Sequence, residues 1–142
     1  MHSRREFLIT CGKVSAGTLC GGFTLLNEGC ASYNYLKFEK HHKTLVVKKQ
    51  NFIENKQGVV DYSGLPAPIY LSQFADGSFA AVSMKCTHKG CEVSPAGRML
   101  ICPCHGSEFS NTGKVLQSPA ERDLTRFGVK TDHEYIYILL ES

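Results

Sequence analysis

The sequence predicts one small all-β domain, an antiparallel sandwich or barrel, preceded by an N-terminal segment of different composition. From residue 44 onward, short runs rich in β-branched and aromatic residues alternate with turn signals. No helical period extends beyond a turn or two, and there is no internal repeat. A chain of 142 residues has room for one domain and a tail. We therefore expect no separate large catalytic domain.

Residues 1–30 are typical of an export signal or an N-terminal anchor. The stretch SRREFL (3–8) resembles the twin-arginine signal and departs from its consensus only at Ile9, where lysine is common. The apolar run 14–26 has thirteen residues, whereas a membrane span needs roughly 20. We therefore expect export across the bacterial cytoplasmic membrane to the periplasmic side.

Cys30 resembles the cleavage site of a bacterial lipoprotein, in which the cysteine becomes the lipidated N-terminus. It follows Gly29 and precedes two small residues, although the residues before Gly29 depart from that pattern. Simple cleavage, lipidation and an uncleaved anchor all remain open. Residues 31–43 predict a polar linker, in which His41 and His42 are solvated.

The domain is predicted to span residues 44–142. Strands are expected in TLVVKK (44–49), APIYLS (67–72) and SFAAVS (78–83), separated by Gly-containing turns. The last two runs, 127–131 and 135–140, are joined by three polar residues and predict a hairpin with His133 on its surface. The expected loops lie together at one end of the sandwich or barrel.

The charges argue against a nucleic-acid partner. Residues 1–43 contain six Lys/Arg and three Asp/Glu, whereas residues 44–142 contain ten of each. The domain is therefore neutral, and no basic surface for nucleic acid is expected.

Two predicted loops carry the residues that bind metals. CTHKGC (86–91) offers Cys-x-His, and CPCHGSEF (102–109) offers Cys-x-x-His, which leaves two further cysteines as a second pair. Four ligands from two turns can form a structural zinc site, although Cys-x-His is a tight spacing for zinc. They can equally form a two-iron cluster, with two thiolates on one iron and two imidazoles on the other.

This pattern, C-x-H-x-G-C followed by C-x-C-H-G-S, resembles that of Rieske [2Fe–2S] proteins, and the strand pattern extends the resemblance over residues 44–142. The resemblance implies a Rieske-type antiparallel sandwich or barrel with two cluster-binding loops at one end, and one [2Fe–2S] cluster. It also implies a disulfide, as in the subfamily found in quinol-oxidising cytochrome complexes. The implied residues are Cys86 and Cys102 on the buried iron, His88 and His105 on the outer iron, and Cys91 with Cys104 in the disulfide.

The resemblance also assigns residues around the cluster. Ser107 matches a serine whose hydroxyl donates to a cluster sulfur, and Phe109 stands where high-potential members carry a tyrosine. We therefore expect a potential below that of the tyrosine-bearing members. Pro119 lies in a segment similar to the loop that covers the cluster. Lys89 stands at the cluster edge, where members of quinol complexes usually have leucine.

The implied function is one-electron transfer by the iron–sulfur subunit of a membrane quinol-oxidising cytochrome complex, from quinol to a cytochrome c type acceptor. Electron uptake would bring a proton to His88 or His105. The alternative is an exported Rieske carrier, or small subunit of a periplasmic oxidoreductase, that never contacts quinol. A zinc module is a distant third. In both redox cases we expect a relay that needs a partner protein for turnover, and that is attached to the membrane where its N-terminal anchor or a lipid is retained.

Overall fold

The computed structural model describes residues 33–52 and 56–141. The predicted export signal and Cys30 lie outside these residues. Within the described ranges the secondary structure is almost entirely strand, with one short 3-10 turn over Lys49–Phe52, so the all-β prediction is confirmed. The strands are β1 Phe38–His41, β2 Thr44–Lys48, β3 Gln57–Val60, β4 Ile69–Gln73, β5 Phe79–Ser83, β6 Ser94–Ala96, β7 Met99–Ile101, β8 Glu108–Ser110, β9 Val115–Gln117, β10 Arg126–Thr131 and β11 Tyr135–Leu139.

Seven strands form a large antiparallel sheet in the order β1-β2-β11-β10-β5-β4-β3. The chain just before β1 runs parallel to β3 at Tyr35 and Val59. Two backbone bonds of 2.8 Å support this contact, from Leu36 N–H to Val59 O and from Val59 N–H to Asn34 O. The two edges of the sheet are thereby connected, and the sheet curls into a barrel without long unpaired edges.

The barrel interior follows from the period-2 pattern of its strands. In β2 and β11 alternate residues are fully buried, among them Leu45, Val47, Ile136 and Ile138. Each side chain of this size contributes roughly 1.5–3 kcal/mol through burial. A second apolar cluster lies between the large sheet and the small one, and it includes Met84, Leu100, Phe109 and two cysteines.

The hairpin predicted at the C-terminal end is formed by β10 and β11. Asp132 organises its turn, because its carboxylate accepts the Tyr137 hydroxyl at 2.6 Å and the backbone N–H groups of Glu134 and Tyr135 at 2.8 and 2.7 Å. These bonds, that from Tyr137 first, lower the pKa of Asp132 from 3.8 to about 2. His133 is exposed, as predicted.

The small sheet, in the order β6-β7-β8-β9, carries the second cysteine-rich segment. Its last hairpin turns at Gly113, which has φ of 83°. A Cβ at that position would lie 3.0 Å from Val82 Cγ1 and 3.2 Å from Leu124 Cβ, so only glycine fits this junction with the large sheet.

The structure corrects the linker predicted over residues 31–43. Within that range β1 pairs with β2, and Leu36 is only 5% exposed. The prediction failed because β1 is an edge strand with no fully buried residue, so its sequence shows no alternation. His41 and His42 are nevertheless exposed, as expected. Among residues 33–52 and 56–141, no helix is long and apolar enough to cross a membrane.

Candidate metal centre

Both cysteine-rich segments form hairpin loops of equal length. The first loop, residues 86–91, is closed by an antiparallel bridge between Lys85 and Glu92. The second loop, residues 102–107, joins β7 to β8 and is closed by the pairing of Ile101 with Glu108. Each loop therefore presents six residues beyond its last strand pair.

The backbone of the two loops is hydrogen-bonded in the same way. In each loop the glycine at the fifth position donates to the carbonyl of the first cysteine at 2.9 Å, from Gly90 to Cys86 and from Gly106 to Cys102. The first cysteine donates in turn to the carbonyl of the sixth residue at 2.8 Å in both loops. Gly90 and Gly106 have φ of 79° and 76°, which other residues adopt only with strain.

Equal backbones place different chemistry at equal positions. From the first position to the last, the equivalent residues of the two loops are Cys86 and Cys102, Thr87 and Pro103, His88 and Cys104, Lys89 and His105, Gly90 and Gly106, and Cys91 and Ser107. The fourth position is exposed in both loops. Lys89 on the first loop therefore occupies the place that an imidazole holds on the second.

The two cysteines at the first position are buried free thiols. Cys86 is 2% exposed and Cys102 is 1% exposed, and both belong to the apolar cluster between the sheets. Phe109, fully buried in β8, is part of the same cluster. The surroundings of these thiols are therefore dry, as suits the more buried ligands of a metal centre.

The two imidazoles lie next to each other. The rings of His88 and His105 have centroids 4.9 Å apart and are nearly perpendicular, at 86°. His88 Nδ1 is buried and has no hydrogen-bond partner among residues 33–52 and 56–141. A buried polar atom without a partner is costly, so this nitrogen is suited to bind a metal ion.

The two loops are joined by a disulfide between Cys91 and Cys104, so the pairing that the family resemblance implied is confirmed. The sulfur of Cys102 lies within 4.8 Å of both disulfide sulfurs. The two disulfide sulfurs cannot form thiolates. Within this group of three cysteines, only Cys102 can therefore provide a thiolate ligand to a metal.

Ser107 is fully buried, and its Oγ accepts the backbone N–H of Ala120 at 3.0 Å. Because its oxygen is the acceptor in this bond, its hydrogen remains available for another acceptor. This geometry is compatible with donation to a cluster sulfur.

A third segment, residues 117–123, contacts both loops. Thr87 Oγ1 donates to Arg122 O at 2.5 Å, and Gln117 Nε2 donates to Gly106 O at 3.1 Å. Pro119, half-buried, lies within it. The sequence carried no signal for Thr87 or Gln117, because each binds a backbone carbonyl that is distant along the chain.

The fold and this site define a small all-β metalloprotein with two buried thiols and two neighbouring imidazoles. A model of the Rieske [2Fe–2S] domain family matches residues 42–128 of the chain. This match covers more than half of the sequence. The chain belongs to the Rieske [2Fe–2S] domain family, and its cofactor is a [2Fe–2S] cluster. The zinc alternative is therefore set aside.

Individual relatives agree with this assignment. The cytochrome b6-f complex iron-sulfur subunit 1 of Nostoc sp. (strain PCC 7120) is 29% identical over 135 residues, which cover 87% of this chain and 65% of that protein. The cytochrome b6-f complex iron-sulfur subunit of Chlorobaculum tepidum is 39% identical over 64 residues, or 44% of this chain and 35% of that protein. The chain thus spans between about a third and two thirds of the length of these curated relatives.

A solved structure is also similar. The cyanobacterial plasma membrane Rieske protein PetC3 from Synechocystis PCC 6803 superposes with a TM-score of 0.56 at 30% identity, and the alignment covers 64% of this chain and 93% of that one. The likeness supports the Rieske fold.

Proposed function

We propose that the chain is a one-electron relay whose cluster is held by two thiolates, from Cys86 and Cys102, and two imidazoles, from His88 and His105. The buried Nδ1 of His88, which has no hydrogen-bond partner in the described part of the chain, carries this proposal, because it lies beside the second imidazole on a loop that begins at a buried thiol. When bound, the [2Fe–2S] cluster supplies reversible one-electron chemistry, and mixed ligation gives it a potential of roughly −150 to +300 mV.

Four groups of residues around the cluster have different roles. The buried thiols keep water from one side of the site, while the exposed His105 places the other side at the surface. The disulfide fixes the two loops relative to each other. The hydroxyl of Ser107, held by Ala120, directs a hydrogen-bond donor that favours the more negative, reduced state.

The partner is a cytochrome complex, since the curated relatives are subunits of cytochrome b6-f complexes. Within it the chain takes electrons from quinol and passes them to a cytochrome c type acceptor, and His88 or His105 receives the proton that accompanies the electron. Residues 1–30 direct export to the periplasmic side and keep the chain at the membrane, through an anchor or a lipid on Cys30. The chain alone has no turnover.

A second candidate is favoured by Lys89. Its ammonium is exposed at the tip of the first loop, beside the ligand His88. Burying a cation in an apolar quinol pocket is costly. An exported carrier that exchanges electrons only with an acidic protein avoids that cost.

The first test is a redox titration of the full chain produced with iron, followed by electron paramagnetic resonance. We expect a two-iron signal and a midpoint potential inside the mixed-ligand window. His105→Cys should lower the potential, because a thiolate replaces a neutral ligand, whereas His133→Cys on the exposed hairpin should leave it unchanged. A chain that binds no iron, or equal potentials for the two variants, would contradict the ligand assignment.

The second test separates the two candidates. The tagged full chain is purified from membranes of its own organism in mild detergent, and the preparation is examined for b-type and c-type haem spectra. Haem that copurifies, with reduction of the cluster by an added quinol, supports the cytochrome complex. Absence of haem and no reduction by quinol favours the exported carrier.

A further inference from the structure

An open groove of about 710 Å³ runs beside the first loop. One wall is the first loop with Lys85 before it, and the other is formed by Arg122, Asp123 and the chain that leads into β10. His88 also lines the groove.

The groove is positively charged, although the domain is neutral. Three exposed cations line it, from Lys85, Lys89 and Arg122, against one carboxylate, that of Asp123. Oδ1 of Asp123 accepts the backbone N–H of Val115 at 2.9 Å. None of the three cations forms an ion pair with any residue in the ranges 33–52 and 56–141. Residues 44–142 contain ten positive and ten negative groups, so the excess is local.

The two walls are joined, so the charges keep their relation to the first loop. The hydrogen bond from Thr87 to the carbonyl of Arg122 connects them directly. On the loop side, a Cβ added to Gly90 would lie 3.3 Å from Lys85 Cε, so the stem of Lys85 follows the loop. The groove is therefore formed before any partner arrives, which lowers the cost of binding.

We propose that this groove is the docking surface for an acidic region of the protein that exchanges electrons with the cluster. The inference rests on the proposed function, because it takes His88 as a ligand of the outer iron. A partner seated in the groove contacts a wall that includes His88, so the electron crosses from one protein to the other beside a ligand.

The exposure of the cations favours a protein over a small anion. A site built for a small anion would enclose it with buried donors, whereas all three cations here are exposed and lie on two walls. Exposed charges spread over a patch steer an oppositely charged protein and set its orientation, and they allow rapid release. That is the contact a relay requires.

The test uses the full chain with its cluster. The second-order rate of electron transfer is measured by stopped flow with an acidic blue copper protein and with a basic c-type cytochrome, at several salt concentrations. The variants are Lys89→Glu, Arg122→Glu and their combination. The matched control is Lys130→Glu, on an exposed lysine of β10 that does not line the groove. Cluster spectrum and midpoint potential are recorded first for each protein.

We expect the rate with the acidic protein to fall at least tenfold in the double variant at low salt, and the difference to shrink as salt screens the charges. Lys130→Glu should change the rate less than twofold. Equal losses in the control and the two single groove variants would overturn the proposal, because these three proteins carry the same change in net charge. Saturable inhibition of the parent by millimolar inorganic phosphate would also overturn it, in favour of a small-anion site.

A second readout does not depend on electron transfer. Carbodiimide joins lysine amines to carboxylates, so cross-linked peptides of the complex with the acidic protein report where it sits. Cross-links at Lys85 and Lys89 support the proposal, and cross-links confined to other lysines refute it. A parent without a [2Fe–2S] signal would overturn the proposed function as well, whereas a normal cluster with no groove dependence overturns the docking inference alone.

Discussion

Removing the disulfide should destabilise the domain by about 3 kcal/mol. The two cysteines are separated by 13 positions. Closing a loop of about that length lowers the conformational entropy of the unfolded chain, which stabilises the folded state by roughly 3 kcal/mol. Cys91 is half-buried and Cys104 is exposed, so changing both to alanine leaves little cavity to add to the cost. The perturbation is therefore Cys91→Ala combined with Cys104→Ala, which leaves no unpaired thiol from the pair.

The assay is urea denaturation of the iron-free chain, followed by far-ultraviolet circular dichroism because the chain has no tryptophan. Mass spectrometry first establishes that the parent is linked. A loss below about 1 kcal/mol in a linked parent would refute the loop-closure reasoning. In the loaded protein we expect faster loss of iron to a chelator, because the disulfide is the direct covalent connection between the two loops.

Three further predictions concern single side chains. Ser107→Ala leaves the buried N–H of Ala120 without an acceptor, so the free energy of unfolding measured in urea should fall by about 1–3 kcal/mol. The variant also loses the hydroxyl donor, so the midpoint potential should fall by about 59 mV for each tenfold weaker preference for the reduced state. Phe109→Tyr should raise the potential by a similar amount through a new donor to a ligand sulfur; no rise in a titration, with Phe109→Leu as the packing control, would contradict this. Asp132 has a pKa lowered to about 2. Its ionised carboxylate therefore contributes fully to the free energy of unfolding above pH 4, and this contribution is lost as the pH falls through 2. Denaturation at pH 6 and at pH 2 should therefore separate Asp132→Asn from the parent only at the higher pH, and an equal gap at both would refute the assignment.

The sequence identified the two loops because their chemistry is local. Cysteine, histidine and glycine fall within two six-residue stretches, and each side chain's role depends on its own turn. The long strands were also predictable, since alternation in β2 and β11 follows directly from one buried face.

What the sequence did not reveal depends on distant contacts. The edge strand β1 lacks alternation because no residue in it is fully buried. Residues 94–97 contain a proline and a glycine, which favour a turn, yet they begin with the three-residue strand β6, since Pro95 pairs with Leu100 at the edge of the small sheet. The bond from Thr87 to Arg122 joins residues 35 positions apart, and no local pattern encodes it.

The matched loops have a consequence for the approach of any partner. Equal backbones place Lys89 and His105 at the same position of two adjoining tips, so one tip ends in an ammonium group and the other in an imidazole ring. Exchanging the tips would leave the shape of the backbone nearly unchanged but would reverse the direction of the charge across them. The charge at this end of the domain is therefore asymmetric. A partner that recognises the asymmetry binds in one orientation, and not in the second orientation that would exchange the two tips.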